Sequence, residues 1–358
     1  MDNNQPVRVL VVGCGHMGKS HAKAYQKLDG FEIVGVVSRT SVSREAMFAE
    51  LGETWPGFDS YEQALEELKP DAVSINTFPD THADYAIKAM KAGAHVFLEK
   101  PIAETVAEAE EVVRVARETG KAITIGYILR VHPSWMEFVN QARQLGKPLV
   151  MRMNLNQQSH GDNWQTHKNI MSSLPPMVDC GVHYVDVMCQ MTESKPVRVS
   201  AIQAHLSDEV GDQCNYGQMQ ITFEDGSVGW YEAGWGPMMS TMAHFVKDVV
   251  GPKGSVSIAA KEGEGKESDN VDSHTRTESL LVHRGTLDEK GAFVEQDRYI
   301  DLEDEPGHDD LCEREQDLFL RAIRGEVDMT RHIQDALNSL RIVLAAQEAA
   351  EQGKSIEL

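Results

Sequence analysis

The chain has 358 residues, which at roughly 150 residues per domain points to two domains. Acids outnumber bases by 56 to 34, a formal charge of −22, which excludes nucleic acid as a partner and disfavours an anionic membrane surface, since both are held by clustered cations. The hydrophobic fraction of 41% is too high for disorder, and no apolar run approaches the roughly 20 residues that span a bilayer.

Met1-Asp2-Asn3-Asn4 carries an early acid and no basic n-region, so no signal peptide is expected. Residues 7–127 then alternate. Short β-branched runs at 7–12, 31–37, 72–77, 95–99 and 121–126 read as buried parallel strands. Helical stretches at 16–28, 43–51, 60–68, 81–92 and 104–119 lie between them, the last ending at Gly120. Strict alternation implies α/β architecture, a Rossmann-type dinucleotide-binding domain over 1–127. The pattern then changes. Helical pieces at 133–145 and 178–191 bracket a polar loop at 157–171, with a strand at 148–156. Strand-like runs follow at 197–206, 214–224, 227–235, 241–250 and 254–259, with a hairpin at Glu224-Asp225-Gly226-Ser227. Strands without intervening helices imply an α+β domain over 128–358 with a large open, mostly antiparallel sheet. Residues 261–310 read as an acidic excursion with strands at 279–284 and 293–302; helices at 312–325 and 331–352 close the chain. On the second sheet, Met219, Trp230 and Trp235 are expected on the face away from the helices, to be covered by a partner subunit or by the excursion. The five scattered cysteines, without a CxxC pair, fit a reducing, cytoplasmic setting with no disulfide framework and no structural zinc.

Gly13-Cys14-Gly15-His16-Met17-Gly18 is GxGxxG directly after the first strand and at the start of a helix, the context in which the pattern binds a pyrophosphate. The second strand ends in Ser38-Arg39, where NAD sites carry an acid for the ribose hydroxyls. A hydroxyl and an arginine suit a 2′-phosphate, so NADP is favoured over NAD. The alternative is that Arg39 stacks on the adenine or lies in solvent.

Glu99-Lys100-Pro101 ends the fifth strand, which puts a lysine where ligands meet a parallel sheet. A cis peptide at Lys100-Pro101 is possible there. Asp179 and His183 are four apart, on one face if helical. The loop at 157–171, with Trp164 and His167, has the composition to wrap a hydroxylated ligand or to be a solvated connection.

Taken in order, GxGxxG, His21, Thr77-Phe78-Pro79 with His82, Glu99-Lys100-Pro101, Gly126-Tyr127 with Arg130 and Pro133, and Asp179 to His183 resemble the Gfo/Idh/MocA family of oxidoreductases over nearly the whole chain. The resemblance implies NAD(P)-dependent chemistry on a sugar or polyol. It implies Lys100 and His183 as the catalytic pair, with Asp179 binding substrate. It also implies that Thr77, His82, Glu99 and Lys100 line the cofactor and that Tyr127 and Arg130 line the substrate. It further implies homodimers or homotetramers through the second sheet. Many relatives carry glycines before the Asp179 position, whereas this chain has Ser172-Ser173-Leu174-Pro175-Pro176-Met177, which leaves the substrate's identity open.

The chemistry is coherent without the family. Alcohol oxidation sends a hydride to the cofactor and a proton to a base, and histidine titrates in the right range. His183 is therefore the expected acid/base, Lys100 polarises the reacting oxygen, and Asp179 holds a neighbouring hydroxyl. The bland readings are an exposed Glu99–Lys100 ion pair and a helix-surface or metal pair at Asp179 and His183. A metal is not expected, for want of further ligands at a recognisable spacing. Two other functions fit the same scaffold: a non-catalytic NAD(P)-binding sensor and an NAD-dependent glycoside hydrolase.

Overall fold

A computed structural model describes residues 5–172, 174–240, 246–259, 275, 277, 279–301 and 305–358. Residues 7–125 fold as β1 (Val7–Val12), α1 (His16–Lys27), β2 (Phe31–Val37), α2 (Ser41–Leu51), β3 (Gly57–Phe58), α3 (Tyr61–Leu68), β4 (Ala72–Ile75), α4 (His82–Lys91), β5 (His95–Leu98), α5 (Val106–Thr119) and β6 (Ile123–Ile125). The six strands run in the order β3-β2-β1-β4-β5-β6, every pairing parallel. Parallel strands need crossovers, and the helices supply them. Their ends are marked in the sequence: Thr105 and Glu108 form a capping box on α5, and Gly120 ends it in the left-handed conformation.

The second sheet follows α6 (Pro133–Arg143). It is built from β7 (Val150–Gln158), then, after α7 (Gly161–Met171), α8 (Pro176–Asp179) and α9 (Gly181–Thr192), from β8 (Pro196–Ala204), β9 (Tyr216–Phe223), β10 (Val228–Gly236), β11 (Lys247–Gly251), β12 (Gly254–Ala259), β13 (Ser279–Arg284) and β14 (Arg298–Asp301). The chain ends with α10 (His308–Ile323), α11 (Thr330–Gln352) and β15 (Ile356–Glu357). The strand order is β14-β13-β12-β11-β7-β10-β9-β8-β15, antiparallel except for β7 with β10. The hairpin at Gly226 joins β9 to β10, with Gly226 at a φ of +81°. α9 is buried almost all round, as a helix apolar on every face must be. Among the described residues, no helix is long and apolar enough to cross a membrane.

The structure differs from the sequence expectations in several places. The chain divides into a first unit, residues up to Val131 together with Pro306–Leu340, and a second, His132–Glu305 with Arg341–Leu358. The stretch 306–340, expected in the second domain, joins the first because Phe319 and Leu320 of α10 complete the cluster of Val9, Tyr25, Phe31 and Phe97. The polar loop at 157–171 is mostly the helix α7. The helix expected at 178–191 starts earlier, with Pro176 at the first position of α8, and is interrupted at Cys180. Met219 and Trp235 are buried on the helix-facing side, because Met219, Tyr231 and Trp235 share the parity that meets α8 and α9. Trp230 is on the other face, beside a groove lined by Val150, Arg152, Gln220, Thr222 and Val228. Of the strand expected at 241–250, residues 241–245 lie outside the described residues, as do Ser173 and residues 261–274, 276, 278 and 302–304 of the excursion.

Candidate active site

The turn between β1 and α1 is shaped by three glycines in two ways. Gly13 has a φ of +98°, and a Cβ on it would stand 2.5 Å from the Asn76 carbonyl oxygen. A Cβ on Gly18 would stand 1.9 Å from the Gly13 carbonyl oxygen. Both contacts are with backbone and cannot yield. A Cβ on exposed Gly15, by contrast, would meet nothing within 4 Å. Two glycines thus close the turn and one keeps its outside open. The first turn of α1 has no side-chain cap and no acid, so its free amides and dipole are set for an anion. This cradle fits the pyrophosphate of a dinucleotide. His16 is exposed and Met17 half-buried beside it.

At the end of β2, Ser38 is half-buried and Arg39 exposed. Arg44 of α2, unremarkable in sequence, organises this edge. It donates to the carbonyls of Ser38 (2.5 Å) and Phe58 (3.0 Å) and pairs with Asp59 at 2.6 Å. No motif announces it, because β3, which brings Phe58 beside Ser38, is only two residues long.

After β5 the chain turns through Glu99 and the cis peptide Lys100–Pro101. Lys100 is half-buried, and its N–H donates to Glu99 Oε2 at 3.2 Å. Glu99 is only 7% exposed, and its Oε1 lies 2.7 Å from His21 Nε2. Burial alone would raise this carboxyl, but the His21 hydrogen bond and the neighbouring Lys100 charge more than offset it, leaving it below the ordinary range. His82 is buried with Nδ1 2.7 Å from the Pro101 carbonyl and Nε2 3.0 Å from that of Thr77. Burial holds it below its ordinary value. Thr77 Oγ1 is 2.6 Å from Thr81 Oγ1. Glu99 and His82, expected on the cofactor, thus bind protein around the Lys100 segment.

Tyr127 and Arg130, expected on the substrate, are likewise engaged with α11. Tyr127 is buried with its hydroxyl 2.7 Å from Ser339 Oγ, and Arg130 pairs with buried Asp335 at 3.0 Å. Among the described residues, one group of metal-type ligands converges, His21, Cys312 and Glu315, within 4.8 Å of one another. Both ring nitrogens of His21 are already hydrogen-bonded.

In the second unit, Asp179 is the half-buried last residue of α8 and His183, 8% exposed, lies in the first turn of α9. Cys180 between them keeps helical angles (φ −83°, ψ −30°), and the His183 N–H donates to its carbonyl at 3.1 Å, so the break hardly disturbs the chain direction. Trp164 and His167 are buried on α7. Trp164 Nε1 donates to Glu209 at 3.1 Å, and the His167 ring stacks on Trp235 at 4.3 Å. Burial pushes His167 down to about 4, and the Asp179 carboxylate offsets this only in part. On the same side of the sheet, Gln157 Nε2, Ser159 Oγ, His167 Nδ1, Tyr231 OH and Trp235 Nε1 are buried without a hydrogen-bond partner among the described residues. Sequence reasoning missed Gln157 and Ser159. Their signal was available: they continue the alternation of Met151, Met153 and Leu155, putting polar groups on an apolar stripe.

The profile of an oxidoreductase family with an NAD-binding Rossmann fold matches residues 7–127, and that of the family's C-terminal alpha/beta domain matches residues 141–358. The chain is 29% identical over 262 residues to the scyllo-inositol 2-dehydrogenase (NAD(+)) of Bacillus subtilis, covering 70% of this chain and 73% of that one. It is 28% identical over 231 residues to the 4-carboxy-2-hydroxymuconate-6-semialdehyde dehydrogenase of a Sphingobium species, covering 62% and 70%. In fold it is similar to the scyllo-inositol dehydrogenase of Lactobacillus casei solved with NAD(H) and scyllo-inositol, with a TM-score of 0.76 at 20% identity over 98% of this chain and 99% of that one. The protein belongs to the Gfo/Idh/MocA family of oxidoreductases, with its NAD-binding Rossmann domain first and its alpha/beta domain second.

Proposed function

We propose that the protein moves a hydride between a nicotinamide cofactor and a secondary alcohol or ketone of a sugar, cyclitol or sugar derivative. The observation that carries this reading is the turn at Gly13–Gly18, crowded at two glycines and open at the third, at the start of an uncapped helix. The substrate class follows the relatives, which include enzymes named for inositol.

When bound, the nicotinamide supplies the hydride acceptor or donor. The chain does the rest. Amides at the start of α1 hold the pyrophosphate. His183 takes the proton from the reacting hydroxyl, or returns it in the reverse direction. Lys100 donates a hydrogen bond to the same oxygen and polarises it, and Asp179 accepts one from a neighbouring hydroxyl. Trp164 and His167 shape the substrate wall, while Tyr127 and Arg130 act through their anchors on α11. Ser38 and Arg39, with no acid at the ribose position, favour NADP over NAD. The setting is cytoplasmic. The grooved sheet face around Trp230 pairs with a second copy, giving a homodimer or homotetramer.

The test is a screen of sugars, inositols and their keto forms with NAD(H) and NADP(H), following the absorbance of the reduced nicotinamide. Turnover on a hydroxylated ring with either cofactor is expected. Tight cofactor binding without turnover on any of them would indicate a sensor instead. NADPH should bind about tenfold more tightly than NADH, and Arg39→Ala should remove that difference. Equal affinities in the unmodified protein would end the NADP assignment.

A further inference from the structure

We propose that Glu99 is a positioning residue for the reaction, holding Lys100 through its backbone amide and through its charge, and that Tyr25, Gln316 and His21 form the hydrogen-bond chain that holds Glu99. This rests on the reading of Lys100 as a catalytic residue.

The chain runs in one direction. The Tyr25 hydroxyl donates to Gln316 Oε1 at 2.6 Å, which turns the amide so that Nε2 donates to His21 Nδ1 at 2.8 Å. A ring that accepts at Nδ1 carries its proton on Nε2, and Nε2 faces Glu99 Oε1 at 2.7 Å. The other carboxylate oxygen accepts the Lys100 N–H. All four side chains are buried, and they come from α1, α10 and the end of β5. A carboxylate is buried at such a place only when it is fully paired.

The surroundings are shaped for it. A Cβ on Gly126 would stand 3.1 Å from Glu99 Oε1, so the residue after β6 is one without a side chain. The His21 ring rests on Phe97 at 4.6 Å, which leaves it little freedom to turn. The ionisable groups facing Glu99 are Lys100, His21 and Tyr25 from α1, His82 from α4 and Glu315 from α10. Glu315 is buried with neither oxygen hydrogen-bonded among the described residues, and burial together with the Glu99 charge pushes it well above the ordinary range. Of the two acids, Glu99 is therefore the one that stays ionised. A fixed carboxylate beside Lys100 favours the ammonium over the amine.

The experiment compares kcat, cofactor Kd and the pH profile of kcat in four variants, with Lys100→Ala as a fifth that serves as the control. Glu99→Gln keeps the shape and removes the charge. Its kcat should fall about tenfold and the alkaline limb of its profile should move down by about one pH unit, with cofactor Kd changed less than about threefold. His21→Gln, which keeps an N–H for Glu99, should retain more kcat than His21→Leu by about fivefold. Tyr25→Phe breaks only the far end and should move the same limb in the same direction, less far. An unchanged profile in both Glu99→Gln and Tyr25→Phe, with Lys100→Ala inactive, overturns the proposal. If Glu99→Gln does not fold, an unchanged profile in folded Tyr25→Phe together with equal kcat in the two His21 variants overturns it. Normal turnover in Lys100→Ala would instead remove the catalytic reading on which it rests.

Discussion

Around Lys100 in the first unit, the polar side chains of Tyr25, Gln316, His21, Glu99 and His82 are tied to one another or to backbone, whereas on the helix-facing side of the second sheet Gln157, Ser159, His167, Tyr231 and Trp235 each bury a polar atom that has no partner among the described residues. The first unit has its exceptions, Thr124 Oγ1, Asp335 Oδ1 and both oxygens of Glu315, but the five side chains named around Lys100 are hydrogen-bonded. A buried polar atom without a partner costs about 1–3 kcal/mol, and native proteins hold few of them. The first unit therefore has its geometry settled before any ligand arrives. The second keeps donors and acceptors that none of its described residues meets, and that water or a ligand can satisfy.

The largest expected effect is on the chemistry. Lys100→Ala and His183→Ala should each lower kcat by about 10³-fold while cofactor affinity, read by fluorescence titration, stays within a few-fold. Equal losses of binding and turnover would mean that these residues hold the cofactor rather than serve the reaction. The satisfied side of the comparison is broken most directly at Arg130→Ala, which leaves fully buried Asp335 with Arg331 alone. Urea denaturation should show a loss of about 2–4 kcal/mol.

His167 makes the comparison depend on pH. Its folded value is about 4, against an ordinary value near 6.5. As the pH falls through that window, the unfolded chain takes up a proton that the folded chain refuses, so stability is present above it and falls within it, by at most about 3 kcal/mol. His167→Phe should flatten this acid limb in denaturation curves taken between about pH 7 and 4. Part of the slope should survive, because burial holds His95 at about 4 as well. The smallest effect is at Ser159→Ala. Removing a buried, unpartnered hydroxyl should leave the ligand-free stability unchanged or raise it by about 0.5 kcal/mol. A loss above about 1 kcal/mol would mean that the hydroxyl has a partner, and the contrast between the units would weaken.

What the sequence made legible was its local grammar. The glycines at 13 and 18, the cap at Gly120, the hairpin at Gly226 and the alternation of strand and helix each depend on residues close in sequence, and the structure places them as expected. Long-range choices were not legible. The apolar stripe of α10 announces that it must be buried but not by what, so its place against α1 and Phe31 could not be read. The motif residues Glu99, His82, Tyr127 and Arg130 were readable as neighbours of the site. The directions of their side chains were not: His82 is held by the carbonyls of Thr77 and Pro101, while Glu99 (through His21), Tyr127 and Arg130 depend on Gln316, Ser339 and Asp335, two hundred or so positions away. α7 was hidden by its polar composition, which resembles that of a loop until Trp164 and His167 find partners on η3 (Asp208–Val210) and β10.

The first unit is assembled from two stretches that the ribosome makes far apart in time. The nucleotide-binding strands are finished at Val131, but α10, which covers Phe31 and Phe97 and supplies Gln316, begins only at His308. At about 5–20 residues per second the interval is on the order of ten seconds or more. Throughout it, the apolar patch awaiting Phe319 and Leu320 is open to solvent, and His21 and Tyr25 lack the amide that joins them. The first unit is therefore closed by Pro306–Leu340, about a tenth of the polypeptide, long after its first 131 residues have been made.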